Sequence, residues 1–284
     1  MGLLLALPVM VAVAVLVVAP LLEAAYYSLT TWDGISAHYV GLESYVQLFF
    51  RTQAIGQILE NNAEVVLSIP IWLGLALVAA FLTATRAVGW RLFRSVVFLP
   101  VSLSWVVVGI VFSNFLATNG GLDVLLRTAH LGFLAQDWLG NSHTAMLALL
   151  VTFNWGMFGI NTVIFITGLA SVPPELIDAA RVDGASTGQT LRHVILPIMR
   201  RFVQLAFIVT MISGFSGLFG LIYVMTAGGP GFATTTLEFQ IYQEAFALGN
   251  FGTAAAFGMV LFAIMVIITL TVSRVGGQRD SDAR

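Results

Sequence analysis

The chain has 284 residues, of which 58% are hydrophobic and only 9% are charged, and its formal net charge is −2. Soluble domains carry roughly 25% charged residues, so this composition excludes an ordinary water-soluble domain and indicates a polytopic membrane protein. There is no cysteine, which excludes disulfides, thiol catalysis and cysteine-ligated metal. All twelve basic residues are arginine, and the lysine that a Walker A phosphate loop requires is therefore missing. Any ATP hydrolysis linked to this chain must take place on a separate subunit.

Six stretches are long and apolar enough to cross a bilayer, which takes about 20 residues each. The predicted spans are residues 3–29, 64–85, 93–117, 143–170, 202–225 and 253–274. The first is too long and too weakly flanked for a cleaved signal peptide, so we interpret it as a retained anchor. No basic residue precedes it, and we therefore expect that a natural N-terminal tail is missing from the sequence.

The arginines predict how these spans are oriented, because cytoplasmic loops are enriched in basic residues. Ten of the twelve fall in the loop after span two, the loop after span four, or the tail, and only Arg51 and Arg127 fall on the other side. This ten-to-two bias predicts that both termini and residues 173–197 face the cytoplasm.

Residues 173–197, PPELIDAARVDGASTGQTLRHVILP, form the most polar run between two spans. Pro173 and Pro174 suit the first turn of a helix, where a missing N–H would have no partner. Gly184 predicts the end of that helix, because glycine adopts the left-handed conformation without a Cβ clash. Ser186 and Gln189 have the spacing of a capping box that begins a second short helix toward Pro197. Polarity alone is also compatible with an ordinary amphipathic surface helix.

At these residues the chain resembles the signature loop of the membrane subunits of ATP-binding-cassette (ABC) importers. That family has Glu-Ala-Ala, three residues, Gly, and later Ile-x-Leu-Pro. Here Asp178-Ala179-Ala180, Gly184 and Ile195-Leu196-Pro197 occupy those places, and Asp178 is one methylene shorter than the family's glutamate. LTTWDG at residues 29–34 and MTAGGPGFATTTLEFQIYQEAF at residues 225–246 extend the resemblance to the first permease of maltose, glycerol-phosphate and trehalose-type systems.

The resemblance implies an all-α fold of the type I ABC importer permease, with six transmembrane helices and a cytoplasmic coupling helix in one permease domain over residues 1–284. The chain itself would not be an enzyme and would bind no cofactor, because ATP and Mg belong to the partner. The implied partners are a second homologous permease, two copies of a nucleotide-binding ATPase subunit, an extracytoplasmic substrate-binding protein and the bilayer of the cell membrane, with no nucleic acid. The resemblance assigns ATPase coupling to Glu175, Asp178, Ala179, Ala180, Asp183, Gly184, Ala185 and Pro197.

Polar residues inside spans four and five are candidates for a hydrated pathway. Asn154 and Asn161 are seven residues apart and share one helix face with Met157, while Thr210, Ser213 and Gly214 lie in span five. In the maltose-type subunit that the chain resembles, the sugar is held between these two spans at positions corresponding to Asn154, Met157, Thr210, Ser213 and Gly214. Small and hydroxyl residues are also ordinary contacts between membrane helices, so packing is the alternative interpretation.

Two other function classes are weighed against the importer permease. An ion-coupled secondary transporter of a small polar solute usually has ionisable residues within the membrane, whereas this chain keeps its charges near the span ends. An intramembrane enzyme needs a catalytic set, and the sequence offers no metal-like histidine spacing and no Ser/His/Asp grouping.

Overall fold

The computed structural model of the protein describes residues 2–52, 54–84 and 97–281. The helices of the first half are α1 (residues 2–27, with a π turn at Ala14–Val18), α2 (residues 43–51, ending in a π turn at Gln47–Arg51), α3 (Ile55–Ala84), α4 (Trp105–Phe115) and α5 (Gly121–Thr128). Those of the second half are α6 (Ser142–Ala170), α7 (Pro174–Val182), α8 (Thr187–Ser216, with a π turn at Leu191–Ile195), α9 (Leu218–Met225), α10 (residues 237–247, ending in a π turn at Gln243–Ala247) and α11 (Phe251–Ser281). Strands β1 (Thr30–Trp32) and β2 (Ala37–Tyr39) form an antiparallel hairpin, and 3₁₀ turns occur at Leu99–Ser102 and Gly132–Leu134.

Five helices in the described part of the chain are long and apolar enough to cross a bilayer. They are Ala6–Tyr27, Ile55–Thr83, Ser142–Ala170, Thr187–Ser216 and Phe251–Arg274. In lipid every backbone N–H and C=O must be satisfied within the protein, and a helix satisfies them within one segment. The predicted all-helical membrane fold is thus confirmed, whereas the predicted count of six spans is not.

The third predicted span, residues 93–117, is not one long helix. Residues 93–96 lie outside the described residues; from there the chain passes through the Leu99–Ser102 3₁₀ turn and an extended Leu103. Helix α4 then begins where the Ser104 hydroxyl accepts the N–H of Val107 at 3.3 Å. Its 11 residues extend about 16 Å at 1.5 Å per residue, which is too short to cross a bilayer.

Three other predicted boundaries differ from the structure. Helix α3 begins at Ile55, nine residues before the predicted start at residue 64. The fifth predicted span, residues 202–225, is divided at Gly217, where an added Cβ would lie 2.9 Å from the carbonyl oxygen of Ser213 and 3.2 Å from the indole nitrogen of Trp105. The short helix predicted to end near Pro197 instead continues to Ser216, because the wide π turn at Leu191–Ile195 leads directly into the proline-containing turn.

The chain divides into two compact units, the first comprising Met1–Glu60 and Thr235–Val266. In this unit the β-hairpin pairs Thr30 with Tyr39 and Trp32 with Ala37. The Trp32 ring stacks on Tyr27 at a centroid distance of 4.0 Å and lies 5.2 Å from Phe251. Aromatic packing therefore fixes the hairpin against the start of α11.

The hairpin turn is closed by Asp33. Its carboxylate accepts the backbone N–H groups of Ile35 and Ser36 at 2.9 and 2.7 Å. The hydrogen bonds from Ser36 and then Ile35 favour the charged form and lower the pKa of the exposed Asp33 carboxyl below its usual value of 3.8. Because the folded-state pKa is lowered, this contribution to stability is present at neutral pH and is lost as the pH falls through the folded-state pKa.

The second unit comprises Asn61–Thr234 and Ile267–Arg284, and α6 is its central helix. In the most apolar 18-residue stretch of α6, 61% of the residues are buried, against 33% in the corresponding stretch of α3 and 28% in that of α8. A Cβ at Gly159 would lie 2.6 Å from Val101, and one at Gly168 would lie 2.8 Å from Met199. Neighbouring segments approach α6 this closely because its contact points are glycines.

Trp105 makes the tightest of these contacts. Its ring stacks on Phe153 at 5.4 Å, and an added Cβ at Gly156 would lie 2.6 Å from its Cη2 atom. These contacts give Trp105 a packing role in the second unit.

We expect Gly156→Ala to lower the thermal unfolding midpoint of the protein in detergent. Alanine is the better helix former by about 1 kcal/mol, but here its methyl group would overlap the Trp105 ring, and overpacking costs about 1–3 kcal/mol. Gly74→Ala is the matched control, because Gly74 is an exposed helical glycine with nothing within 4 Å of an added Cβ. A midpoint for Gly156→Ala at or above that of Gly74→Ala would contradict the close packing.

Candidate functional site

Helix α7 carries four of the eight residues that the sequence motif singles out, and the other four follow it. It begins after Pro173, whose backbone is extended, and Pro174 takes the first helical position as predicted. Glu175 lies in the first turn and Arg181 in the last, so both charges complement the helix dipole.

A Schellman motif ends α7 at Gly184. Gly184 has φ +78°, and its N–H donates to the carbonyl of Arg181 at 3.0 Å. The N–H of Ala185 donates to the carbonyl of Ala180 at 2.9 Å, which completes the motif. The left-handed glycine predicted at this position is confirmed.

The capping box at the start of α8 is also confirmed. The Ser186 hydroxyl accepts the N–H of Gln189 at 3.3 Å, and the Gln189 side-chain oxygen accepts the N–H of Ser186 at 2.8 Å. The two motifs together set the angle between α7 and α8 with backbone and polar contacts, so this corner needs no large hydrophobic core.

The outer surface of α7 is exposed and partly apolar. Val182 is 88% exposed and Leu176 46% exposed, which is unusual for branched aliphatic side chains on a polar helix. The motif residues Glu175, Asp178, Ala179, Asp183, Gly184 and Pro197 are exposed, and Ala180 and Ala185 are half-buried.

A cleft of about 240 Å³ lies behind α7. It is lined by Phe81 of α3, Leu169 of α6, Ile177 and Arg181 of α7, Ala185, and Thr187, Thr190 and Ile195 of α8. One face of α7 is therefore exposed, and the other borders a cleft shared with three long helices.

Asp178 forms an ion pair on this surface. Its carboxylate accepts a hydrogen bond from Arg181 at 3.1 Å, and both side chains are more than two-thirds exposed. An exposed ion pair of this kind contributes little stability. Asp178 can therefore exchange Arg181 for another donor at small cost.

The polar residues predicted inside spans four and five lie within the second unit. The amide nitrogen of Asn154 donates to the carbonyl of Leu150 at 2.8 Å and to the hydroxyl of Ser68 on α3 at 3.1 Å. Its side-chain oxygen is buried and has no hydrogen-bond partner. A buried, unpaired amide oxygen is unusual, because leaving such a group unpaired costs about 1–3 kcal/mol.

A second polar contact joins α6 and α8. The Thr210 hydroxyl donates to the side-chain oxygen of Asn161 at 3.0 Å, and both residues are buried. Met157 is 1% exposed between the two asparagines, and Gly214 is buried against Val65 and Phe153. Ser213 is half-buried. Five of the six predicted residues are thus buried in α6 or α8, and the Asn161–Thr210 hydrogen bond joins the two helices.

Residues 72–279 match the profile of the binding-protein-dependent transport system inner membrane component family. The chain belongs to this family. It is a permease subunit of an ABC importer, a multi-pass inner-membrane protein of a family whose members are not themselves catalytic.

Relatives in this permease family are similar over most of their length. The multiple sugar-binding transport system permease protein MsmF of Streptococcus mutans is 30% identical over 256 residues, which cover 88% of this chain and 86% of that protein. The arabinooligosaccharides transport system permease protein AraP of Bacillus subtilis is 32% identical over 246 residues, covering 84% and 76%.

A solved structure has the same fold. A chain of the bacterial alginate ABC transporter, solved in complex with an alginate pentasaccharide-bound periplasmic protein, superimposes with a TM-score of 0.79 over 96% of this chain and 92% of that one, at 18% identity. At this identity the similarity concerns the permease fold only.

Three features of this permease were missed in the sequence. Val182 reads as one more helix residue, and only its exposure marks it as part of a surface. Ser68 lies in an apolar run, where a lone serine is a weak signal, and its bond to Asn154 depends on how α3 packs against α6. The cleft behind α7 combines residues from four helices, which no local pattern brings together.

Proposed function

We propose that this permease forms half of the translocation pathway for a sugar or sugar-like solute and couples solute movement to ATP hydrolysis on separate subunits. The solute class is supported by the relatives, whose names assign multiple sugars to MsmF and arabinooligosaccharides to AraP. It is also supported by the amide and hydroxyl groups buried in α6 and α8, which suit a polyol better than an ion.

The observation that carries the coupling proposal is the exposed surface of α7, with Val182 88% exposed. We assign this surface to contact with the ATPase, through Glu175, Asp178, Ala179, Ala180, Asp183, Gly184, Ala185 and Pro197. The exposed aliphatic side chains supply apolar area to an interface, and Asp178 supplies an acceptor that can leave Arg181.

The proposed assembly contains this single-domain permease, a second homologous permease, two ATPase subunits that hold ATP and Mg, and an extracytoplasmic binding protein that delivers the solute. Both termini and α7 would face the cytoplasm, as the arginine distribution predicts. Alternating access would then follow from the different affinities of ATP and solute for two states of the complex.

For the solute we propose a path along the α6 and α8 faces near Asn154, Met157, Asn161, Thr210, Ser213 and Gly214. Asn154 is the strongest candidate for a solute contact, because its unpaired oxygen could accept a hydroxyl hydrogen bond. Thr210 and Asn161 are already hydrogen-bonded to each other, so this hydrogen bond would have to break when the solute passes.

The function is tested by purifying the complex in lipid nanodiscs and measuring ATP hydrolysis with and without a solute-loaded binding protein. The proposal predicts a co-purifying ATPase whose rate rises on addition of the loaded binding protein. Uptake by this chain alone, driven by a proton or sodium gradient, would instead support an ion-coupled secondary transporter.

We expect Gly184→Asp to abolish transport while the protein still accumulates in the membrane. No atom lies within 4 Å of an added Cβ at Gly184, so the chain itself has room for the side chain, although the φ of +78° strains any residue that carries a Cβ. The loss would come from placing a carboxylate where the partner docks. Solute uptake and membrane abundance are measured together.

Two controls separate charge from conformation. Gly184→Asn adds a side chain of the same shape, tolerates the left-handed conformation equally well and should retain more transport. Gly188→Asp places the same charge nearby, at an open position in the first turn of α8 where the helix dipole favours it, and should transport normally. Wild-type uptake by Gly184→Asp would refute the coupling role.

A charge exchange tests whether Asp178 serves a partner or only Arg181. Asp178→Arg should abolish uptake, and the double variant Asp178→Arg with Arg181→Asp should not restore it, although the internal ion pair can form again. Restored uptake in the double variant would mean that Asp178 acts only through its ion pair with Arg181 and does not contact a partner.

A further inference from the structure

A second cleft lies between α4, α5 and α6 in the same compact unit, and it is apolar. Its volume is about 250 Å³. It is lined by Phe112, Phe115, Leu116, Leu122, Trp138, Thr144, Leu147, Ala148, Val151 and Thr152. The α6 residues among these lie in its first three turns, at the end opposite to α7.

The polar groups on the cleft wall are already satisfied. The Thr144 hydroxyl donates to the carbonyl of Trp138 at 2.9 Å, and the Thr152 hydroxyl donates to the carbonyl of Ala148 at 2.8 Å. A sugar or a water cluster would need unsatisfied donors or acceptors here. The wall therefore suits hydrocarbon.

The position of the cleft along α6 places it within the bilayer. Thr144 to Thr152 span roughly 12 Å of helix at 1.5 Å per residue, beginning near the polar start of α6. A single leaflet of hydrocarbon is about 15 Å thick, half of the whole core. Leu147 is 58% exposed and Val151 40% exposed beside the cleft, so the cleft opens onto an exposed apolar face of the unit.

A polar network lies at the interfacial end of the cleft. The indole N–H of Trp138 donates to one oxygen of the buried Asp123 at 3.1 Å, and the N–H of Asn119 donates to the other at 3.0 Å. Arg127 donates to the side-chain oxygen of Asn119 at 2.8 Å and is otherwise exposed. Both carboxylate oxygens of Asp123 are thus occupied, whereas the guanidinium has five N–H donors and uses one of them here.

Exposed apolar side chains surround this network. Val124 and Leu125 of α5 are 54% and 57% exposed, and Phe133 in the following turn is 80% exposed. A short amphipathic helix with exposed aliphatic residues next to an arginine and a tryptophan is typical of the membrane interface. The surroundings of the cleft therefore have the composition expected where a protein meets lipid headgroups and acyl chains.

From these observations we propose that the cleft binds one acyl chain of an anionic phospholipid, whose phosphate pairs with Arg127. An aliphatic chain matches a cleft of this volume and lining, and a guanidinium at its polar end matches a phosphate. The site is separate from the coupling surface and the proposed solute path. The arginine distribution predicts that this lipid site lies in the outer leaflet.

The test uses the assembled transport complex in nanodiscs that contain a phosphatidylglycerol with a photoactivatable diazirine on one acyl chain. After irradiation, the labelled peptides of this chain are mapped by mass spectrometry. We expect labelling in residues 112–116 and 147–152, and loss of that labelling in Ala148→Phe, whose ring would fill the cleft.

The matched control is Ala79→Phe. Ala79 is equally buried but lines a different apolar groove with Trp72 and Trp155, so labelling of residues 112–116 and 147–152 should persist. Val151→Trp provides a second blocking variant. It starts from a partly exposed position, closes the mouth of the cleft without overpacking the core, and should also remove the label.

A second lipid probe tests whether Arg127 recognises the headgroup. A phosphatidylcholine probe with the same diazirine should label the wild type less than phosphatidylglycerol does, and Arg127→Gln should remove that difference. Equal labelling of the wild type by both lipids would overturn the role of Arg127. The proposed lipid site would be refuted if the labelling survived in both Ala148→Phe and Val151→Trp. It would also be refuted if the cleft cross-linked to the partner permease instead of to lipid.

Discussion

The close approach of neighbouring segments to α6 is the constraint on which the second unit depends. Lipid offers little hydrophobic driving force between helices, so packing depends on how near their backbones can come. At Gly156 and Gly159 there is no space for a methyl group between α6 and the segment that contains Val101 and Trp105. At Gly168 the same holds for α8, through Met199 and Phe202. A central helix that fixes its neighbours at both ends can position short elements that could not hold themselves in place.

Two such short elements follow from this arrangement. Helix α4 is too short to span a bilayer, yet Trp105 at its start is held by Phe153 and Gly156 of α6. Helix α7 lies three residues after α6 and is joined to α8 by the Gly184 corner. A partner that displaces α7 would therefore act on α6 and α8 together, the two helices that share the Asn161–Thr210 hydrogen bond. In the proposed function this is the route from the ATPase surface to the solute path.

Local signals were enough to predict the ends of α7 and the start of α8. Pro174, Gly184 and the Ser186–Gln189 capping box act on backbone groups only a few residues away, so their effects can be predicted from the local sequence. The breaks at Leu99–Ser102 and Gly217 were not predicted, because hydropathy records only that a run is apolar. Gly217 ends α8 beside an indole 112 positions earlier in the chain, and that contact exists only after folding. The Asn154–Ser68 bond and both clefts were missed for the same reason, since each joins helices that are distant in sequence.

The central claim is that the exposed face of α7 is covered by an ATPase on the cytoplasmic side. The chain has no cysteine, so Val182→Cys introduces a unique thiol at a position that is 88% exposed. A short thiol-to-amine cross-linker applied to inverted membrane vesicles tests this claim most directly. The account predicts a cross-linked product between this chain and the ATPase subunit. Reaction of the same thiol with a membrane-impermeant maleimide from the external face, with no product that contains the ATPase, would contradict it.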